Sequence, residues 1–198
     1  MNKTTAGKDR AEGQPEQDQK DARWSWRDVL EIVVAALALA AVYSVFFLTA
    51  RVPSGSMEQT VMTGDYVIAT RMDRTDIKRY DIMVFIPPDE PDIIYIKRVI
   101  GLPGETITVS GGRVFAGEEE LDGSFLPEEM NGNGDGVFQV PEGCYFMLGD
   151  NRNHSLDARF WQEKYVPEEN MLAKAWFTIW PLSHIRSLRY QGSVAPAG

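Results

Sequence analysis

The sequence predicts a mainly β domain preceded by one transmembrane helix. Three observations carry this prediction: a long apolar run near the N-terminus, later segments rich in β-branched and aromatic residues, and Pro and Gly between those segments. Beyond the apolar run, no sustained helical periodicity is found. The chain of 198 residues is long enough for one domain with a core, together with an anchor or a tail.

Residues 1–28 are expected to be a disordered tail. The first 23 of them are polar and poor in large apolar side chains. Such a segment buries too little apolar surface to offset the entropy lost on ordering.

Residues 29–50 are expected to be the transmembrane helix. The run from Leu30 to Ala50 has Glu31 as its single charge and, at helical rise, covers about 30 Å, the thickness of a bilayer's hydrocarbon core. Trp24 and Trp26 precede it, as interfacial aromatic residues often do. A buried core helix and a cleavable signal peptide are the alternatives. The run is longer than the apolar region of a signal peptide, so we favour an uncleaved anchor.

The basic residues around this run predict its orientation. Lys20, Arg23 and Arg27 precede it, and Arg51 follows it closely. Since Lys and Arg concentrate on the cytoplasmic side, we expect a single-pass protein with a cytoplasmic N-terminus and the later residues outside the membrane.

Residues 51–185 are expected to be an extracytoplasmic β-domain with a short insertion near 105–142, followed by a C-terminal tail at 186–198. Gly111 and Gly112 indicate a hairpin, and residues 118–136 indicate an irregular segment. The composition predicts strands over 66–71, 81–86, 93–100, 106–110, 113–116, 143–149 and 173–179.

Composition excludes several classes of partner and ligand. The formal net charge of −9 argues against binding nucleic acid, which needs clustered Lys and Arg. His154, His184 and Cys144 are far apart in the sequence and do not make a zinc set, so we expect no metal and no cofactor. A single cysteine cannot form an internal disulfide and does not indicate a compartment.

Two cations, Lys97 and Arg98, lie next to each other in one predicted strand. Side chains alternate between the faces of a strand, so each face carries one cation among apolar residues. A strand lysine is usually solvated or extends its amine to the surface. A buried lysine, however, loses proton affinity and becomes able to act as a base near neutral pH.

Two further segments are rich in polar groups. Ser54, Gly55 and Ser56 follow the apolar run directly and indicate an exposed turn, which is most often a loop or a cap and less often holds a nucleophile. Residues 149–159, with the sequence GDNRNHSLDAR, follow a short apolar run and on their own indicate a solvated turn.

In combination and in this order, these segments resemble bacterial type I signal peptidase, the leader peptidase family. The resemblance is carried by SGSM after the anchor, YIKRVIGLPGE in the strand with two cations, and GDNRxxSxDxR. It runs from about Val52 to Trp180 and implies a signal-peptidase-like β-barrel or sandwich domain.

The resemblance implies a catalytic site with Ser56 as the nucleophile and Lys97 as the general base. It further implies Ser54 and the backbone N–H of Ser56 as an oxyanion hole, and Ser155 as the residue that orients the lysine. Supporting ion pairs and apolar substrate pockets complete the implied set: Asp157 with Arg159, Asp150 with Arg98, and the pocket positions Val52, Met57, Val61, Tyr95 and Ile96.

The implied function is a membrane-bound serine endopeptidase that removes signal peptides from preproteins at small-x-small sequences in the bacterial inner membrane. Its partners would be preproteins, the lipid bilayer and, as a further candidate, the secretion translocon. Gln59, Asn153, His154 and Ala158 depart from the family pattern without removing a catalytic group. Many family members carry two spans, whereas this sequence shows one.

Other functions remain open from the sequence alone. A relative specialised for one substrate, such as a conjugation or pilus peptidase, shares the same residues. An inactive single-span binding module shares the same fold. A self-cleaving repressor of the Ser/Lys type would need a DNA-binding domain where the apolar run stands. A triad of serine, His154 and Asp157 is an alternative mechanism, but it would leave the lysine strand without a role.

Overall fold

The computed structural model describes residues 24–190 and residue 192. The segment 1–23, expected to be most of the N-terminal tail, lies outside the described residues. So does nearly all of the segment after Tyr190.

Helix α1 runs from Trp26 to Phe46, and none of its residues is buried. Among the described residues, it is the one helix long and apolar enough to cross a membrane. Asp28 accepts a hydrogen bond from the N–H of Ser25 and places a negative charge at the positive end of the helix dipole. The chain divides into two compact units within this helix, after Leu39.

Strand β1, Phe47–Arg51, begins where α1 ends. The expected helix over 29–50 is therefore wrong at its C-terminal end. The apolar run continues to Ala50, but its last residues belong to β1, which pairs antiparallel with the strand Tyr66–Thr70 (β2), from Phe47 opposite Thr70 to Arg51 opposite Tyr66. This ladder satisfies the backbone groups that a longer helix would have bonded internally.

Twelve strands are found in the described part of the chain, so the expectation of a mainly β domain behind one apolar helix is confirmed. After β1 they are β2 Tyr66–Thr70, β3 Ile82–Phe85, β4 Tyr95–Gly101, β5 Thr106–Ser110, β6 Arg113–Ala116, β7 Glu119–Glu120, β8 Gly136–Gln139, β9 Cys144–Leu148, β10 Val166–Pro167, β11 Met171–Trp180 and β12 Arg186–Ser187.

The strands form two antiparallel sheets. The larger sheet has the order β1-β2-β11-β3-β4-β9-β10, with β12 paired to β11. The smaller sheet has the order β7-β6-β5-β8 and comes from the segment between β4 and β9. Gly111 and Gly112 both have positive φ at the turn joining β5 to β6, as the predicted hairpin requires.

Strand β4 lies inside the larger sheet, between β3 and β9. Side chains of the neighbouring β3 alternate between two core clusters, with Ile82 and Val84 in one and Met83 and Phe85 in the other. Both faces of the sheet are therefore covered at this point. A charged residue on β4 is consequently removed from water whichever face it occupies.

Candidate active site

The turn that holds Ser56 follows β1 and is a single 3₁₀ turn, Gly55–Met57. Its entry is fixed by Val52, whose N–H donates to Asp65 O at 2.9 Å and whose carbonyl accepts from Gly64 N at 2.8 Å. Ser56 is 9% exposed, so the short apolar entry and the turn carry its hydroxyl into a largely buried position. The expected exposed turn is therefore more enclosed than its polar sequence indicates.

Lys97 lies in the middle of β4 and is 4% exposed. It shares a cavity of about 640 Å³ with Ser54 and Ser56, which the sequence separates by about forty residues. Ser56 and Lys97 therefore line one cavity. Among the described residues no hydrogen bond joins Lys97 Nζ to Ser56 Oγ, while Ser54 Oγ lies 3.4 Å from Ser56 Oγ. Catalytic hydrogen bonds are often long before substrate binds.

Burial lowers the pKa of Lys97 from its ordinary value to about 8, because the ammonium loses its hydration. The nearby carboxylates of Asp157 and Asp150 oppose this shift, and Arg159 adds to it. Both carboxylates are held by arginines, which limits how far they stabilise the ammonium. The net effect is an amine that loses its proton at a lower pH than a solvated lysine does.

Arg98, the second cation of β4, is paired with Asp150. Arg98 Nε donates to Asp150 Oδ1 at 2.7 Å and Nη2 donates to Oδ2 at 2.6 Å, with both side chains buried. Arg98 Nη1 donates to Tyr80 O, and Thr60 Oγ1 donates to Asp150 Oδ2. This is the pairing that the family resemblance implies. The bidentate geometry satisfies two buried charges at once and ties β4 to the segment after β9.

Asp157 and Arg159 form the second implied pair, and it is fully buried. Arg159 Nε donates to Asp157 Oδ1 at 2.8 Å, and Nη2 donates to Oδ2 at 2.9 Å. Asp157 Oδ2 also accepts from the N–H of Gly149, and Arg159 Nη2 donates to Arg152 O. These bonds close the loop 149–159 on itself and fix the position of Ser155 inside it.

Ser155 packs closely against Gly149. Ser155 is 6% exposed, and its Oγ has no hydrogen-bond partner among the described residues. A Cβ placed on Gly149 would lie 2.1 Å from Ser155 Oγ and 2.5 Å from Ser56 O. The loop can therefore pack against the turn Gly55–Met57 only with glycine at this position. Sequence reasoning quoted Gly149 but assigned it no role.

Two other loop residues were likewise quoted without a role. Arg152 is buried, and its Nε donates to Gly149 O at 3.0 Å. Burial lowers the pKa of Arg152 to about 10, so its guanidinium stays charged at neutral pH. Asn151 bonds directly to the turn around Ser56. Contacts of this kind depend on tertiary packing, and no spacing in the sequence indicates them.

The expected substrate-pocket residues divide into two groups. Tyr95 and Ile96 line the cavity that contains Ser56. Val52, Met57 and Val61 do not line it, because they are buried in the core cluster on which the turn packs. That these three contact substrate stays a prediction. Ile94 and Leu156, two exposed residues that the sequence analysis passed over, lie on the cavity wall instead.

His154 does not form the alternative triad. It also lines the cavity, but its Nδ1 lies 3.1 Å from Asn151 Oδ1 and 3.8 Å from Glu128. Asp157, the carboxylate that a triad would need, is engaged by Arg159 and Gly149. Within the described residues, no cluster of His, Cys, Asp and Glu has a geometry suited to a metal ion.

Comparisons with known proteins agree on one family. The sequence model of "Signal peptidase, peptidase S26" matches residues 25–180. A probable signal peptidase I-2 of Synechocystis sp. is 34% identical over 169 residues, which cover 81% of this chain and 76% of the relative. Signal peptidase I of Leptolyngbya laminosa is 33% identical, covering 88% and 90%. Signal peptidase I of Pseudomonas fluorescens is 31% identical, covering 73% and 70%.

Among solved structures, the crystal structure of a signal peptidase I from Enterococcus faecalis V583 is similar to this chain. The two share 29% sequence identity, with a TM-score of 0.41. The match covers 50% of this chain and 95% of the other.

Proposed function

The chain belongs to the signal peptidases of peptidase family S26, and from that premise we propose that it cleaves signal peptides from preproteins with Ser56 as nucleophile and Lys97 as general base. One observation carries the assignment. A lysine that is 4% exposed, with its pKa lowered to about 8, shares a cavity with a serine hydroxyl. A lysine kept in this state can replace the histidine of other serine peptidases.

The chemistry proceeds in two stages. Ser56 Oγ attacks the scissile carbonyl carbon while neutral Lys97 Nζ takes the hydroxyl proton. The resulting ammonium gives that proton to the leaving amine, and an ester of Ser56 remains. Lys97 then takes a proton from water as that water attacks the ester. The ammonium returns the proton to Ser56 Oγ when the ester breaks, which releases the signal peptide with a new carboxyl group and restores the serine hydroxyl.

The oxyanion of each tetrahedral intermediate would be held by the N–H of Ser56 and the hydroxyl of Ser54. Ser54 Oγ lies 3.4 Å from the nucleophile and lines the same cavity. One preorganised donor of this kind is typically worth about 3 kcal/mol in the transition state.

Ser155 would orient the lysine amine. A buried hydroxyl without a hydrogen-bond partner lowers the stability of the folded protein by about 1–3 kcal/mol. An unpaired hydroxyl at this position therefore suggests a functional role. Ser155 Oγ has no partner among the described residues, and its loop is fixed by two buried ion pairs. An amine that moves when substrate enters would supply that partner.

Substrate selection would come from the cavity walls. Ile94, Tyr95, Ile96 and Leu156 present apolar surface beside the two serines. A shallow apolar wall accepts small side chains and excludes large ones sterically, as small-x-small cleavage sites require.

The apolar helix and the family together indicate a membrane-anchored enzyme. We place the N-terminus in the cytoplasm and the β-domain outside, because Lys20, Arg23 and Arg27 precede the helix. In a bacterium this is the inner membrane. The secretion translocon delivers preproteins to that side and is the partner we expect, together with the bilayer itself.

The test is cleavage of several unrelated preproteins by the purified full chain. Ser56→Ala and Lys97→Ala should each lower kcat/KM more than about 1,000-fold while the unfolding midpoint stays near wild type. Ser110→Ala and Lys78→Ala make the same chemical changes at exposed positions and should leave kcat/KM unchanged. Cleavage by purified Lys97→Ala would contradict the role of Lys97 as the general base. Cleavage of one preprotein alone would identify a specialised peptidase.

A further inference from the structure

Asn151 bonds to the peptide groups on both sides of Ser56. Its side-chain Nδ2 donates to Gly55 O at 3.0 Å, in the peptide before the nucleophile. Its backbone N–H donates to Ser56 O at 3.1 Å, in the peptide after it. The direction of the side-chain bond is fixed, because a carbonyl oxygen can only accept and the amide nitrogen must donate.

The first of these bonds sets the direction of the Ser56 N–H. A peptide group is planar and trans, so the C=O of Gly55 and the N–H of Ser56 point in opposite directions within one rigid plane. Gly55 O is held from two sides, by Asn151 Nδ2 and by Glu58 N at 3.1 Å. Because the Gly55 carbonyl is held, the Gly55–Ser56 peptide plane cannot rotate freely, and the Ser56 N–H keeps one direction.

Asn151 is itself held firmly. The preceding Asp150 is fixed by its bidentate ion pair with Arg98, and the N–H of Asp150 lies 3.4 Å from Met57 Sδ. Gly149, one residue further back, allows its backbone to pack against Ser56 O. Residues 149–151 are therefore held in place beside the turn Gly55–Met57.

We propose that Asn151 is a positioning residue for the oxyanion hole: its side-chain amide anchors the Gly55–Ser56 peptide and so aims the Ser56 N–H at the oxyanion. The proposal rests on the proposed function, in which that N–H stabilises the tetrahedral intermediate. Among the described residues, no hydrogen bond joins Asn151 to Ser56 Oγ or to Lys97 Nζ. Asn151 affects catalysis only by orienting the Gly55–Ser56 peptide group.

Asn151→Asp tests the proposal with a change of nearly the same shape. A carboxylate cannot donate to Gly55 O, so the peptide loses one of its two anchors. Because a misaimed donor acts mainly in the transition state, kcat should fall about 10–100-fold and KM should stay within about twofold. The affinity for a peptide aldehyde, which forms a hemiacetal oxyanion with Ser56, should fall by a similar factor. Binding of the uncleaved peptide should not change.

Asn153→Asp is the matched control, with the same chemical change two residues on. Its Nδ2 donates to Glu128 Oε1 and Glu129 O, away from the turn Gly55–Met57. This variant should keep wild-type kcat and aldehyde affinity. Asn151→Ala serves as the second variant, because it removes the donor without adding charge and should show the same split between kcat and KM.

Each result separates the two proposals. Ser56→Ala that still cleaves would overturn the proposed function itself. An inactive Ser56→Ala together with wild-type kcat in both Asn151 variants would overturn this inference alone. Asn151 variants that raise KM, or lose activity only in step with their unfolding midpoint, would show a purely structural role and would also overturn it.

Discussion

At the scale of single residues, the burial of Lys97 sets the pH range in which the proposed base is active. An exposed lysine is almost fully protonated at neutral pH and cannot accept the proton of a serine. With its pKa lowered to about 8, Lys97 is neutral in roughly a tenth of molecules at pH 7. Asp150 and Asp157 would undo this effect if their charges were not already engaged by Arg98 and Arg159.

The pH dependence of cleavage follows from that pKa. The neutral amine is the active form, so kcat/KM for a preprotein should rise with pH through a midpoint of about 8. Below the midpoint, each unit of pH should lower kcat/KM about tenfold, as the neutral fraction falls. A midpoint at about 6.5 would instead indicate a histidine base. His154→Ala is the control, and it should leave the pH profile of kcat/KM unchanged.

Which residues form the site was predictable only in part. The alternation of β4 separated Lys97 from Arg98, but spacing could not show that both faces of this strand are covered. The family resemblance supplied the roles of Ser56 and Lys97. It also named Val52, Met57 and Val61 as pocket residues, which the packing of the turn directs into the core. The bonds of Asn151 and Gly149 arise from tertiary contacts that no local pattern records.

At the scale of secondary structure elements, the segment after the Ser56 turn departs from the family pattern at Gln59, and the backbone conformation of Gln59 accounts for this departure. The family resemblance implies a proline at the position of Gln59, and Gln59 has a φ of 70°. Proline is fixed near −65°, so it cannot adopt this conformation. The Gln59 N–H also lies 3.4 Å from Met62 Sδ, a contact that proline cannot make.

Substitutions at Gln59 should therefore act in opposite directions. Gln59→Gly removes the side chain that disfavours a positive φ and should raise the free energy of unfolding by about 0.5–1 kcal/mol. Gln59→Pro should lower it by more than that and reduce cleavage, since Thr60, the next residue, donates to Asp150. Chemical denaturation of the wild type, Gln59→Gly and Gln59→Pro measures their free energies of unfolding and tests this order. A more stable Gln59→Pro would show that this turn is not constrained as described.

The strands were predicted well where local chemistry determines them. The hairpin of β5 and β6 matches its predicted bounds, because Gly111 and Gly112 supply the turn and the flanking residues favour strands. Strand β1 was missed, because its apolar residues continue the helical run and only pairing with β2 makes them a strand. The two-residue strands β7, β10 and β12 depend entirely on their partners and leave no pattern in the sequence.

At the scale of the whole molecule, a membrane anchor would serve preprotein processing in two ways: it would keep the enzyme near the membrane, and it would fix the side on which the catalytic domain lies. A signal peptide is itself apolar and remains in the bilayer, so an enzyme in solution would have to find a bond close to the membrane surface. Anchoring through α1 would hold the catalytic domain at that surface and so raise the local concentration of substrate. The benefit requires that the domain lie on the side where the mature preprotein emerges.

That requirement makes orientation the decisive property of the whole chain. The basic residues before α1 predict a cytoplasmic N-terminus, since Lys and Arg are retained on that side. In a Cys144→Ser background, a cysteine at the exposed Glu118 should react with a membrane-impermeant maleimide in intact spheroplasts, whereas Lys3→Cys should react only after lysis. Labelling both variants in lysed cells controls for reactivity. The reverse pattern would place the serine and lysine in the cytoplasm, away from emerging preproteins, and would contradict the proposed role.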